Sequence, residues 1–190
     1  MNLLELAKLL YAALKGADAV VDEAFPRRIA EIIKFHAKGA AVASVASGWI
    51  PGVGAAAAVT VAAGFIWTMY GRINAECKIP FAENIVKSVA SGVATNLGAA
   101  LVSNLVIGGI LGFFPGIGNI GASVLLGGTS YALTLVSGGI YLKLLTTLIQ
   151  DGVDPTTVPE AELRARAARA TAETDVKSAL KNAKDEYKPE

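Results

Sequence analysis

Between Lys87 and Lys143 the chain runs for 55 residues without an Asp, Glu, Lys, Arg or His. A helix on the surface of a water-soluble fold keeps a polar face, because only one stripe of it is buried. This segment keeps no charge at all, so its residues need lipid or the interior of a helical assembly around them. Its centre reads Gly112-Phe113-Phe114-Pro115-Gly116-Ile117-Gly118. Proline removes a backbone donor and glycine accepts positive φ, so the run is expected to fold here into two arms. Each arm, 88–113 and 117–142, has 26 residues, and a helix of that length is about 39 Å long against a hydrocarbon core of about 30 Å.

Charge is partitioned in blocks along the whole chain. Residues 1–38 hold six basic and five acidic residues, 72–87 hold three and two, and 143–190 hold eight and nine, while 39–71 and 88–142 hold none. With 17% charged residues, the composition is displaced from the roughly 25% of soluble domains toward the membrane class. The net charge of +1 gives no bulk attraction for nucleic acid. Glu5 and Lys8 interrupt the place where a signal peptide would carry its apolar stretch.

The first uncharged block repeats the turn motif. Gly48-Trp49-Ile50-Pro51-Gly52-Val53-Gly54 matches the second motif at an offset of 64 residues: Gly, aromatic, apolar, Pro-Gly, β-branched, Gly. Two copies of a helix, a tight turn and a returning helix are expected, with Pro51, Gly52, Gly54, Pro115, Gly116 and Gly118 in the turns. The hairpins are unequal. Residues 39–50 make an arm of only about 18 Å, too short to span, so the first hairpin is expected either to dip in as a re-entrant element or to borrow the basic helix before it by letting Lys34 and Lys38 snorkel.

Small residues recur every four positions along the arms. Ser88, Gly92, Asn96, Ala100, Asn104, Gly108 and Gly112 form one stripe, Ala56, Thr60, Gly64 and Thr68 a second, and Ser130, Thr134 and Gly138 a third. Such faces let helices approach closely in lipid, with Asn, Ser and Thr bonding across the contact. The first stripe is the expected helix-contact face, and with it self-association into a homo-oligomer.

The flanks read differently. Leu3, Leu6, Ala7, Leu10, Ala13, Leu14 and Ala17 give an amphipathic helix ending near Gly16. A short helix over 18–25 is expected to stop at Pro26, and a basic helix follows with Arg27, Arg28, Lys34 and Lys38. After the turn Asp151-Gly152-Val153-Asp154-Pro155, Thr157 and Glu160 have the spacing of a capping box before one charged helix over 158–187. The expected organisation is a helical-hairpin domain, 1–150, and a charged helical tail, 151–190.

Catalysis has no visible residues. His36 is the only histidine and Cys77 the only cysteine, so neither has a metal-ligand companion at useful spacing. Gly116-x-Gly118-x-x-Gly121 has the spacing of a dinucleotide fingerprint, but the next acidic residue, Asp151, lies 30 positions past Gly121 instead of about 20. No phosphate-binding loop with its Gly-Lys-Ser/Thr occurs. No enzyme activity, cofactor or metal is expected.

Ile50-Pro51-Gly52-Val53-Gly54, Phe113-Phe114-Pro115-Gly116-Ile117-Gly118 and Gly127-Gly128-Thr129-Ser130-Tyr131-Ala132-Leu133 together resemble a hydrophobic helical domain of undefined activity, often attached to Era-like and dynamin-like bacterial GTPases. The resemblance covers residues 30–150. It implies an all-α, membrane-associated module. It also implies a GTPase partner, which would be a separate protein because this chain carries no G domain.

The resulting expectation is an all-α, non-enzymatic protein of the bacterial inner membrane, with two hydrophobic hairpins flanked by amphipathic N-terminal helices and a charged C-terminal helix. If both hairpins enter and return, all 17 basic residues and both termini share the cytoplasmic side, as the positive-inside rule favours. Two alternatives stand beside it: an amphitropic pore-former whose charged helices wrap the apolar hairpin until it inserts, and an assembly subunit whose hairpins pack on copies of themselves.

Overall fold

The computed structural model describes residues 2–17, 19–47, 54–80, 83–107, 119–154 and 157–187. These form seven α-helices and no strand: α1 (Leu3–Gly16), α2 (Phe25–Ser47), α3 (Gly54–Cys77), α4 (Glu83–Ile107), α5 (Asn119–Gln150), α6 (Glu160–Ala172) and α7 (Val176–Glu186). The all-α class is as expected. Pro51, Gly52, Pro115, Gly116 and Gly118 lie outside the described residues, as do Gly108 and Gly112, and Gly54 is the first residue of α3.

α1 forms where the periodicity placed it. The Asn2 side chain accepts from the Leu4 and Glu5 amides, satisfying two of the donors that a helix start leaves unpaired, and Leu3, Ala7, Leu10 and Leu14 are buried. The helix expected over 18–25 is absent: residues 19–22 are non-helical, 23–24 form a turn, and α2 starts at Phe25 with Pro26 in its first turn. Proline's missing N–H costs nothing at that position, so Pro26 opens a helix instead of closing one. Asp22 holds the turn by accepting from the Ala24 amide at 2.9 Å.

The charged C-terminal stretch is two helices, not one. α6 ends at Ala172, and Asp175 begins α7 by accepting from the Ser178 amide at 3.1 Å. The Thr157–Glu160 capping box does not form. Pro159 is extended, with φ −62° and ψ 142°, so the helix begins only at Glu160, and the glutamate side chain reaches Ser88 of α4 at 2.6 Å.

α5 is the hub, and all six other helices pack against it. α2 runs antiparallel to it, with Ile33 at Gly138 and Val45 at Gly127. α3 runs antiparallel to α2, with Arg28 paired to Glu76 and Phe65 against Gly39, and therefore runs parallel to α5, where Tyr70 bonds Ser137 and Asn74 bonds Tyr141. α4 starts beside the C-terminal half of α5, near Tyr141 and Leu144. α7 lies antiparallel along α5, from Thr174 at Lys143 to Tyr187 over Gly128. This register sends the charge-free parts of the α2/α3 pair and of α5 to the same end of the bundle, which the C-terminus of α7 also reaches through Tyr187, while α6 packs along the uncharged start of α4.

Candidate functional site

The most apolar helix is enclosed by protein. Leu126–Gln150 is the one segment among the described residues long and apolar enough to cross a membrane, and 78% of its most apolar stretch is buried inside the fold. Of the two environments the sequence allowed, the interior of a helical assembly is the one this part of α5 occupies.

The inner face of α5 carries a seam of hydroxyl groups. Ser130 meets Ser44 of α2 at 2.6 Å, Ser137 meets the Tyr70 hydroxyl of α3 at 2.6 Å, and the Tyr141 hydroxyl donates to the Asn74 side-chain oxygen at 2.6 Å. The Tyr70 and Tyr141 rings stack with centroids 3.8 Å apart. Burying a polar group costs free energy unless it is hydrogen-bonded, so these pairs favour one rotation of α5 against α2 and α3, although Thr134 Oγ1 and Asn74 Nδ2 are buried there without a partner.

Among the described residues, the glycines that hold helices close are Gly39, Gly127 and Gly138; Gly108 and Gly112 of the first stripe lie outside them. A Cβ on Gly39 would come within 2.6 Å of the Phe65 ring, one on Gly127 within 2.8 Å of Val45, and one on Gly138 within 2.7 Å of Ile33. The third stripe, Ser130, Thr134 and Gly138, is thus a real contact face. Gly39 and Gly127 stood outside every stripe. The run Gly127-Gly128 was the available signal for one, and a glycine among alanines gave none for the other.

Of the other two stripes, Gly92, Asn96, Thr60, Gly64 and Thr68 are exposed. Gly92 and Asn96 are exposed, nothing lies within 4 Å of a Cβ built on Gly92, and Ser88 is bridged to α6 by Glu160 and Arg164. These residues line a groove of about 430 Å³ between α4 and α6. Ala100 and Asn104 belong to α4, with side chains outside the described set. On α3, Thr60, Gly64 and Thr68 are exposed, and Gly64 has open space beside it. Thr68 turns its hydroxyl back onto the Gly64 and Phe65 carbonyls at 3.2 and 3.1 Å, which leaves little of its polarity facing outward.

The surface of the uncharged end is distinctive. The exposed described residues of the uncharged segments are Val42, Ala46, Thr60, Gly64, Thr68, Gly71, Ser91, Gly92, Thr95, Asn96 and Ala99; Arg164 of α6 borders those of α4, and Glu186 at the end of α7 lies beside Lys34. Val42 is 69% exposed. Toward the opposite end Arg28 pairs with Asp22 and Glu76, and Arg166 with Asp151 and Glu162, while Lys34 pairs with Glu186 and Arg164 with Glu160.

His36 is buried, with Nδ1 2.7 Å from the Ile32 carbonyl and its ring edge-on to Phe35. Burial, with Arg72 nearby, lowers its pKa below the ordinary histidine value. Burial pushes the Cys77 thiol up to about 12, which keeps it protonated and unreactive. Among the described residues no group of three His, Cys, Asp or Glu side chains is placed to hold a metal ion.

No family model, curated protein or solved structure matches this chain. The likeness to the GTPase-associated helical domain therefore rests on its quoted residues alone.

Proposed function

We propose that this is a non-enzymatic membrane protein whose uncharged end enters a bilayer while the charged helices remain in water. The observation that carries the reading is the register of α2, α3 and α5, which brings their separate charge-free segments to one end, where α2 and α3 expose Val42, Ala46, Thr60, Gly64 and Thr68. A water-facing surface of that extent ordinarily carries many Lys, Glu, Asp and Arg side chains. In lipid its absence of charge is what the solvent demands. Self-association through the outward stripes of α3 and α4 belongs to the same proposal, since small residues with open space beside them admit another helix. The bacterial inner membrane, with both termini cytoplasmic, is the compartment that the basic flanks favour.

The test is accessibility in membranes. Single cysteines at Ser47, Asn119 and Ser178, in a Cys77→Ala background, are labelled with a membrane-impermeant maleimide in sealed inside-out vesicles. Ser178 should react at once, and Ser47 and Asn119 only after detergent. Equal, immediate labelling of all three would sink the proposal.

The amphitropic reading has one observation of its own in its favour. Much of α5 is clad by α1, α6 and α7, so the fold keeps its longest apolar helix from solvent before any membrane is met. Expression without detergent followed by ultracentrifugation separates the two: pellet for a resident membrane protein, supernatant for an amphitropic one.

A further inference from the structure

α7 lies against the part of α5 that carries no charge. Its register is set at both ends: the Lys143 ammonium donates to Thr174 at 3.1 Å just before α7, and Tyr187, just after it, covers Gly128. Between those points α5 runs through residues 128–142 without a charged side chain, about 22 Å of helix. α7 opposite carries five, Lys177, Lys181, Lys184, Asp185 and Glu186, and all but Lys184 are exposed. A bilayer that received this length of α5 with α7 in place would receive those charges too. Each charged side chain carried to mid-bilayer lowers the insertion equilibrium by on the order of 100-fold. Docked α7 and inserted α5 therefore exclude one another.

We infer that α7 is a displaceable strap, docked on α5 while the protein is in water and released when the uncharged end enters a bilayer. The inference rests on the membrane reading and adds to it the element that has to move. Three features of the contact suit it to release. α7 buries one large side chain, Leu180, beside Ala179 and Ala183. Below Tyr187, α5 offers Gly127 and Gly128, which have no side chains to interlock with it. The Glu186–Lys34 pair, at 3.7 Å, joins two side chains that are each more than half exposed, so water readily replaces either partner. α6 is tied down separately, to Ser88 of α4 by Glu160 and Arg164 and to Asp151 by Arg166. The non-helical residues 173–175 between the two helices let α7 swing away while α6 stays. A bilayer shifts the balance because it interacts differently with the two states. It accepts the bared apolar face of α5 and leaves α7, amphipathic by its own sequence, with its charges in water.

A disulfide lock tests the release. In a Cys77→Ala background, Gly128→Cys and Tyr187→Cys place the lock between α5 and the end of the strap, where a Cβ on Gly128 lies 3.3 Å from Tyr187 Cδ1. The control staple, Ser44→Cys with Ser130→Cys, joins α2 to α5 where the two hydroxyls stand 2.6 Å apart and neither helix has to leave the other. Both variants are made by cell-free synthesis without detergent or lipid, oxidised, and mixed with phosphatidylcholine vesicles. Insertion is read as the fraction that still floats with the vesicles after a carbonate wash. The oxidised lock should stay at background and insert once reduced, whereas the control staple should insert equally in both states. When vesicles are added before the oxidant, the 128–187 pair should no longer close, as counted by maleimide mass tags, while the 44–130 pair should. Equal insertion of locked and reduced protein, an equal block by the control staple, closure of the lock pair in lipid as in water, or its failure to close in water would each overturn the strap. If the reduced variants and the Cys77→Ala parent all fail to insert, the membrane reading itself falls.

Discussion

Gly39 and Gly138 show what a single missing Cβ achieves here. Each lies where another helix's side chain would come within 3 Å of the added carbon, and overpacking of this kind costs about 1–3 kcal/mol. Gly39→Leu and Gly138→Leu are therefore expected to lower the urea midpoint of the protein in mild detergent, read by circular dichroism. Gly92→Leu should not, because its side chain would enter open space and leucine is the better helix former. If the α4 stripe joins copies, Gly92→Leu will instead reduce particle size on gel filtration, and an unchanged size would mean that this stripe faces lipid. His36 gives a second residue-scale prediction. Its folded pKa lies below the ordinary 6.5, so the unfolded chain binds the proton first as pH falls. Stability should be constant above about pH 7.5 and decline as the pH drops through 6.5 toward the folded value, a decline that His36→Phe should remove in a pH series of melting curves.

Helices α5 and α7 are best understood as a pair. α7 presents Ala179, Leu180 and Ala183 to the bundle and keeps Lys177, Lys181 and Asp185 in water. Beyond its end, Tyr187 covers Gly128 and packs 5.4 Å from the Tyr131 ring, and Glu186 lies 3.7 Å from Lys34. The strap is short and its surface ion pair contributes at most about 1 kcal/mol, so burial of Leu180 is its main anchor. Leu180→Ala should destabilise the fold by about 2–4 kcal/mol, and in detergent-free buffer should increase binding of a hydrophobic dye as the Gly127–Tyr131 face of α5 opens. Dye binding equal to wild type, with unchanged stability, would show that α7 covers nothing of consequence. The position of α7 was not visible in its sequence, because an amphipathic helix announces that it has an apolar face and not which surface receives it. Nor was its separation from α6: alanine and charged residues run through both helices, and only Asp175 as an N-cap marks the break.

For the whole molecule, the local signals and the tertiary ones divide along a clear physical line. Helical class, the periodicity of α1, the turn after α5 and the block separation of charge follow from residue type and spacing within one element, and all of these were legible. Pro26 was misread because proline either stops or starts a helix according to which side of it the chain can pack, and only the packing of Phe25 and Ile29 decides that. The capping box failed for a similar reason: Glu160 found a better partner in Ser88, 72 residues away. The uncharged arms posed the largest ambiguity. An all-apolar helix has no polar face to say where water is, so its own sequence determined that α5 must avoid water and nothing more. That α5 avoids it by standing at the centre of six helices, rotated so that Ser130, Ser137 and Tyr141 find Ser44, Tyr70 and Asn74, was decided only by tertiary structure, since a partner's hydroxyl and a neighbour's fit against Gly127 and Gly138 exist only once distant segments meet.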